Sequence, residues 1–218
     1  MPPCLPRNLR IAILVCFAAA VCAGLYLLPI GGIPVLALGA LGTAASVAYA
    51  GGPMPYAKRG LADILFFAMF GIVAVPCTYY IQTAWLLVPQ KLPLALFVVG
   101  LPTAALVTCV LVIDDIRDHA FDAVKGWRTG AVRYGVGWSR AEFIALVAFA
   151  YIAPFAVWLG FGFTGWVLLP LLTLPLAYHI TRGVRTLARR EDLVPLTPRM
   201  ARLSLAHATL LAIGLALS

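Results

Sequence analysis

The stretch DDIRDHAFDAVKGWRTG, from Asp114 to Gly130, gathers four carboxylates, two arginines, a lysine and a histidine. The chain around it has 218 residues, of which Asp, Glu, Lys and Arg together make up only 11%. If residues 114 to 124 continue as a helix, Asp115, Asp118 and Asp122 stand at i, i+3 and i+7 and share one face. The pairs Asp114 with Asp118 and Asp118 with Asp122 are like charges at i,i+4, each unfavourable by about 0.2–0.5 kcal/mol even when exposed. A bound divalent cation reverses that cost. Mg²⁺ suits such a site because it takes one or two carboxylates, keeps several waters and completes its octahedron with substrate phosphates. Arg117, Lys125, Arg128 and Arg133 would then meet the remaining phosphate oxygens. A second reading stays open: the acids are a solvated helix cap, and the cations after them balance the helix dipole and hold the loop on one side of a membrane.

Other residues with chemical potential lie elsewhere. Lys58 and Arg59, after GGPMPY, form either a second phosphate-binding arm or a topological anchor. In CTYYIQT, Tyr79, Tyr80 and Gln82 fall within an apolar run where polar atoms need partners, so one face of that run could line a pocket. His119, His179 and His207 are dispersed and lack zinc-site spacing. The five cysteines, Cys4, Cys16, Cys22, Cys77 and Cys109, contain no CxxC pair, and all but Cys4 fall in apolar runs, which points to packing. No Walker lysine loop, GxGxxG or GxSxG is present, so nucleotide hydrolysis and triad esterase chemistry have no foothold.

The elements that must position these residues are membrane helices. The sequence is 63% hydrophobic with a mean hydropathy of +0.99, far from the roughly 45–50% apolar and about 25% charged of soluble domains. Apolar runs of the length that spans a bilayer lie near 10 to 28, 33 to 50, 62 to 87, 92 to 113, 141 to 160, 163 to 181 and 201 to 217. The expectation is an all-α polytopic transmembrane bundle of about seven helices, forming a single domain over residues 1–218. Lipid leaves backbone groups no partner, and the runs lack the alternation of a membrane barrel. The first run exceeds a signal-peptide core of about 7–15 residues and reads as a retained helix. Pro76, Pro102, Pro154, Pro170 and Pro175 should kink or break the helices that hold them.

The net charge of +8 follows from topology and does not call for nucleic acid. Fifteen of the sixteen Lys and Arg, all but Lys91, fall in connections on one side of the predicted spans. Cytoplasmic connections carry the Lys and Arg excess, so the amino terminus is expected inside and the carboxyl terminus outside a cell membrane. All eight acidic residues share that side, which the rule does not require.

With these elements in place, DIRDHAFDAVKGWRTGAVRYG resembles the second aspartate motif, RDxxxDxxxGxxT, of the UbiA superfamily of membrane prenyltransferases. Asp118 and Asp122 occupy its two aspartate positions. Upstream, AYAGGPMPYAKRGLADILFFAMFGIVAVPCTYYIQT is similar to the YTGGP…GLGE…FG…GTYYVQT region of the 1,4-dihydroxy-2-naphthoate polyprenyltransferases of the menaquinone branch. The resemblance implies a UbiA-like fold and a transfer in which Mg²⁺ bridges aspartates to a polyprenyl diphosphate. Diphosphate departs, and an aromatic carbon attacks the allylic cation left behind. By the same carry-over Asp118 and Asp122 are the catalytic metal ligands and Asp115 a further metal ligand. Arg117, Lys125 and Arg128 become diphosphate contacts, and Tyr79, Tyr80 and Gln82 line the substrate pocket; Lys58 joins the substrate-binding candidates on the reading of its own loop given above.

Two departures qualify what is implied. Trp127 stands where the family often has lysine. The family's earlier NDxxD-like motif and the two helices around it have no counterpart, so the expectation is a fold truncated at its amino terminus. That leaves a fragment or misplaced start, a partner chain supplying the first motif, or a divergent protein without catalysis. Other prenyl acceptors, namely hydroxybenzoate, haem, chlorophyllide or glycerol lipid, and a non-catalytic transporter or scaffold, are the competing functions.

Overall fold

The computed structural model describes residues 7–51, 55–86 and 93–218, with the side chains of Ala50 and Trp85 left aside. Cys4, Lys91 and the GPM of GGPMPY lie outside the described residues. Helices are the only regular secondary structure among the described residues: α1 Arg7–Ala50, α2 Ala62–Ala68, α3 Ala74–Trp85, α4 Leu94–Val124, α5 Gly130–Tyr134, α6 Val136–Phe161, α7 Leu174–Thr186, α8 Arg190–Leu193 and α9 Leu196–Ala216. Among the described residues, five helical stretches are long and apolar enough to cross a membrane: Arg7–Tyr49, Ala62–Ala84, Leu94–Val124, Val136–Phe161 and Gly165–Thr186. Their outer faces carry exposed apolar side chains such as Ile64, Ile152, Leu159 and Leu172, as expected of a lipid-facing surface.

The chain divides into two compact units, Met1–Val47 with Cys77–Lys91, and Ala48–Pro76 with Leu92–Ser218. In the first, the runs expected as separate spans at 10 to 28 and 33 to 50 join into one element of 44 residues. At about 1.5 Å per residue its length is roughly twice the ~30 Å hydrocarbon thickness, and it breaks at Gly32, where φ is 63° and ψ is −153°. Only glycine reaches that backbone conformation freely. Pro34, two residues on, cannot donate to the preceding turn and reinforces the break. Residues on both sides of it, including Val21, Leu25, Leu36 and Val47, line one apolar cavity of about 620 Å³, so the two halves fold back side by side. Also in this unit, Tyr80 Oη donates to the Gly31 carbonyl at 3.2 Å.

In the second unit α4 is the central helix. Its Ala105, Leu106, Cys109, Val112, Ile113 and Ile116 form one buried cluster with Phe143, Ala150 and Tyr151 of α6, Ala177, Ile180 and Val184 of α7, and Met200 and Leu203 of α9. Close helix approach depends on small residues, as membrane packing generally does. A β-carbon added at Gly100 of α4 would stand 2.4 Å from the carbonyl oxygen of Gly71, in the π-helical turn Met69–Val73 that joins α2 to α3. The expected run 163 to 181 begins as a 3-10 helix, Gly165–Thr173, before relaxing into α7. Pro170 and Pro175 sit on either side of that change and cannot donate backbone hydrogen bonds to it. The last run, expected from 201, starts earlier, at Leu196, because Leu196 and Met200 are drawn into the core.

Helix α4 has 31 residues, more than the 20 or so a crossing needs. Its apolar part ends at Ile113, and the last turns carry the acidic stretch beyond it. The helix stops at Val124 with a Schellman closure: Gly126 adopts φ 72°, its amide donates to the Ala123 carbonyl, and the Trp127 amide donates to the Asp122 carbonyl at 2.9 Å. This reversal turns the chain back over the end of α4.

Candidate functional site

The acidic stretch is helical, as its spacing required, and its carboxylates meet different surroundings. Asp118 is matched by two guanidinium groups. Arg117 donates to Asp118 Oδ2 through Nε at 3.1 Å and through Nη2, while Arg190 Nε donates to Asp118 Oδ1 at 2.8 Å. Arg117 also reaches back to Asp114, and Thr197 Oγ1 donates to Asp114 Oδ1 at 2.7 Å. Asp122, one turn on, is buried and forms no ion pair among the described residues. Charge at this end of α4 is therefore unevenly spread, with Asp118 neutralised and Asp122 still able to accept a cation.

Arg190 and Thr197 arrive here because of packing far from the site. Leu193 and Leu196 are buried in the core, and Arg140 Nη2 donates to the Leu187 carbonyl at 2.7 Å. Pinned at three points, the connection between α7 and α9 lies across the end of α4. Sequence reasoning assigned neither Arg190 nor Thr197. The concentration of charge between Arg182 and Arg202 was a regional signal that did not single them out.

A second connection brings cations from the opposite direction. The Arg128 amide donates to the Lys58 carbonyl at 2.8 Å, and Gly60, at φ 70°, lets the two backbones touch: a β-carbon there would be 2.7 Å from Arg128 O. Lys58 Nζ lies 5.2 Å and Lys125 Nζ 5.6 Å from the centre of the Trp127 ring, and Lys125 also covers Phe121 at 4.1 Å. Trp127, the departure from the family's usual lysine, thus serves as a platform for two lysines. Cation–π contacts of this kind are each worth about 0.5–1 kcal/mol at exposed positions.

Asp115 faces another group. A β-carbon at Gly130 would stand 3.5 Å from Asp63 Oδ2, 3.6 Å from Ser139 Oγ and 3.9 Å from Asp115 Oδ2. Asp63 Oδ1 and Thr129 Oγ1 are buried there without a hydrogen-bond partner among the described residues. Asp63, which occupies the acidic position of the GLGE-like segment, was not assigned a role from sequence. Arg128 is exposed and Arg133 stacks on Tyr134 at 5.2 Å. Tyr79, Tyr80 and Gln82 belong to the other compact unit.

Among the described residues no three His, Cys, Asp or Glu side chains converge to hold a metal ion unaided. The donor set fits the other mode, in which one or two carboxylates hold Mg²⁺ and substrate phosphates and water complete its shell: Asp118 and Asp122 share a face one turn apart, and Asp122 makes no ion pair among the described residues.

A multi-pass helical membrane protein with an aspartate pair at the end of one span, ringed by lysine and arginine, defines a narrow class. The chain matches the UbiA prenyltransferase family over residues 5–217 and belongs to it. It is 31% identical over 193 residues to the 1,4-dihydroxy-2-naphthoate octaprenyltransferase of Mycobacterium tuberculosis, covering 87% of this chain and 62% of that protein. The Haemophilus influenzae protein of the same name is 30% identical over 181 residues, 82% of this chain and 56% of the relative. A Drosophila melanogaster UbiA prenyltransferase domain-containing protein 1 homolog is 30% identical over 163 residues, 72% of this chain and 40% of its own length. The chain thus spans less than two thirds of the length of these relatives. No solved structure matches it.

Proposed function

We propose that this chain takes part in Mg²⁺-dependent transfer of a polyprenyl group from a prenyl diphosphate to an aromatic acceptor, and that the acceptor is 1,4-dihydroxy-2-naphthoate, as in menaquinone synthesis. The observation that carries this reading is the end of α4, where Asp118 and Asp122 stand one turn apart with Arg117 on the same helix and Arg190, Lys58 and Lys125 brought in by three connections. A carboxylate pair with no surplus of cations would repel a diphosphate, and cations without carboxylates would hold it but leave Mg²⁺ unbound. The site has both.

In this reading Asp118 and Asp122 would hold Mg²⁺, and Asp115, whose carboxylate stands beside Asp63 and Gly130, would have to turn toward them to serve as the further ligand that the family motif implies. Bound there, Mg²⁺ supplies a Lewis acid and a template for the leaving group. Arg117 and Arg190 exchange part of their hold on Asp118 for diphosphate oxygens, and Lys58, Lys125 and Arg128 receive the charge that accumulates as the carbon–oxygen bond breaks. The electron pair of that bond leaves with diphosphate. The aromatic carbon forms the new carbon–carbon bond to the allylic cation, and the carboxylate at that carbon then departs as carbon dioxide, its bonding pair returning to the ring to restore aromaticity. Apolar helices take the isoprenoid tail and keep water from the cation. The site faces the cytoplasm of a cell membrane, with the amino terminus inside and the carboxyl terminus outside, by the distribution of Lys and Arg.

The test is transfer of labelled polyprenyl diphosphate to 1,4-dihydroxy-2-naphthoate by membranes carrying this chain, alone and together with an NDxxD-bearing helix pair from a relative, with Mg²⁺ and with chelator. Mg²⁺-dependent product in either arrangement supports the reading. Product only with hydroxybenzoate or another acceptor overturns the acceptor, and transfer insensitive to chelator overturns the metal.

A further inference from the structure

A pocket between α7 and α9 is lined by none of the residues assigned to the transfer reaction. Leu176, His179 and Ile180 line it from α7, and Arg199 and Arg202 line it from α9, around a cavity of about 400 Å³, within the ~300–1,000 Å³ of small-molecule sites. The spacing explains the arrangement. Positions i, i+3 and i+4 put Leu176, His179 and Ile180 on one face of α7. Met200 and Leu203 turn into the core, which sends Arg199 and Arg202, their immediate sequence neighbours, to the outside, one turn apart.

Neither arginine makes an ion pair among the described residues. All three ion pairs among the described residues are made by Arg117 and Arg190 with Asp114 and Asp118. Arg199, Arg202 and His179 line a mainly apolar pocket through their carbon atoms, and their polar heads, on exposed residues, are left to its rim. The place in the bundle also matters. Arg199 and Arg202 lie in the first two turns of α9 and His179 lies two turns before the end of α7. That is the depth at which an apolar span gives way to its charged connection. Leu172, four residues before Leu176, is 70% exposed, so an apolar side chain faces outward next to the pocket.

We propose that this pocket binds an anionic membrane phospholipid: its phosphate is received by Arg199, Arg202 and His179, and an acyl chain runs past Leu176 toward Leu172. A basic pocket between spans is the recurring way in which membrane proteins take up anionic headgroups, and arginine's planar fork suits a phosphate better than a point charge does. A free phosphate would use the arginines but leave the aliphatic wall idle, and a zwitterionic lipid would bring a cation of its own to a site that already has two. The proposal is independent of the prenyl-transfer reading, since it needs only that the chain lies in a bilayer.

The experiment compares the intact chain in nanodiscs of phosphatidylcholine alone and with phosphatidylglycerol added, reading lipid retention by native mass spectrometry after release. Phosphatidylglycerol should be retained in preference to phosphatidylcholine, and the preference should fall about fivefold for each arginine removed in Arg199→Gln and Arg202→Gln, the factor equivalent to about 1 kcal/mol per cation near an anionic surface. A matched loss in Arg182→Gln/Arg185→Gln, which removes charge outside the pocket, would reduce the effect to bulk surface potential and overturn the site. Inorganic phosphate competing the lipid away at millimolar concentration would overturn the lipid as ligand. Leu176→Trp gives a second reading that does not depend on the arginine variants folding: brominated phosphatidylglycerol should quench the added fluorescence more than brominated phosphatidylcholine does, and equal quenching overturns the proposal.

Discussion

Arg190 Nε donates to Asp118 Oδ1 at 2.8 Å, although the two residues are 72 positions apart. Arg190 is 66% exposed and Asp118 20%, so the contact is a surface ion pair with little bearing on stability, about 0–1 kcal/mol. Its consequence is positional, because it fixes a guanidinium beside the aspartate pair.

Arg190→Gln is therefore expected to move the melting temperature by no more than about 3 °C. The same change should raise KM for prenyl diphosphate about tenfold, the equivalent of about 1.4 kcal/mol. A drop in melting temperature with KM unchanged would make Arg190 a tether for the connection and nothing more. Kinetics and a thermal melt on the same detergent preparation separate the two.

The two aspartates should differ in stability while agreeing in activity. Asp118→Asn and Asp122→Asn are each expected to lower kcat/KM by at least about a hundredfold, the scale of losing several kcal/mol of metal-borne charge stabilisation. Asp118→Asn also leaves Arg117 and Arg190 without their full carboxylate and should lower the melting temperature. Asp122→Asn removes a buried carboxylate that has no ion pair among the described residues, so the melting temperature should hold or rise. Equal destabilisation by both would contradict the uneven charge balance described above.

Trp127 is expected to act through the lysines it carries. Trp127→Ala removes two cation–π contacts, worth about 0.5–1 kcal/mol each, and should weaken binding of inorganic diphosphate in the presence of Mg²⁺ by roughly fivefold to tenfold, as read by calorimetry. Lys58→Met should cost less in the Trp127→Ala background than in the parent chain, since residues acting as a unit are not additive. Strict additivity would separate Trp127 from Lys58.

Gly100 tests the helix packing that holds α4 in place. A β-carbon there meets the Gly71 carbonyl oxygen at 2.4 Å, backbone against side chain, with no flexible group to give way. Gly100→Ala should destabilise the bundle by about 1–3 kcal/mol, the range for an overpacked core, whereas Gly137→Ala, which meets nothing within 4 Å, should have little effect. Thermal unfolding of both variants checks the contrast.

What the sequence determined by itself is local. Runs of apolar residues as long as a bilayer is thick specify helices, because lipid leaves the backbone no other way to satisfy its hydrogen bonds. The i, i+3, i+7 spacing of Asp115, Asp118 and Asp122 specifies a shared helix face once the helix is granted. The glycines in GGIP at 31 to 34 and in VKGWRTG carry the signal for a break and a helix end, since positive φ is cheap only for glycine. The family was legible in two motifs for the same reason, as each lies within one continuous segment.

Tertiary structure decided which charges meet. Burial of Leu193 and Leu196 lays Arg190 and Thr197 across the end of α4, and nothing in the residues around Asp118 records that distant packing. The Lys58 carbonyl and the Arg128 amide join two connections that are 70 positions apart in sequence, and only then do Lys58 and Lys125 share Trp127. Asp63, Thr129 and Asp115 converge on Gly130 because α2, α4 and α5 pack there. Helix periodicity tells which face a residue occupies. What lies opposite that face depends on the sum of many weak packing contacts, and these are settled only when the whole bundle is assembled.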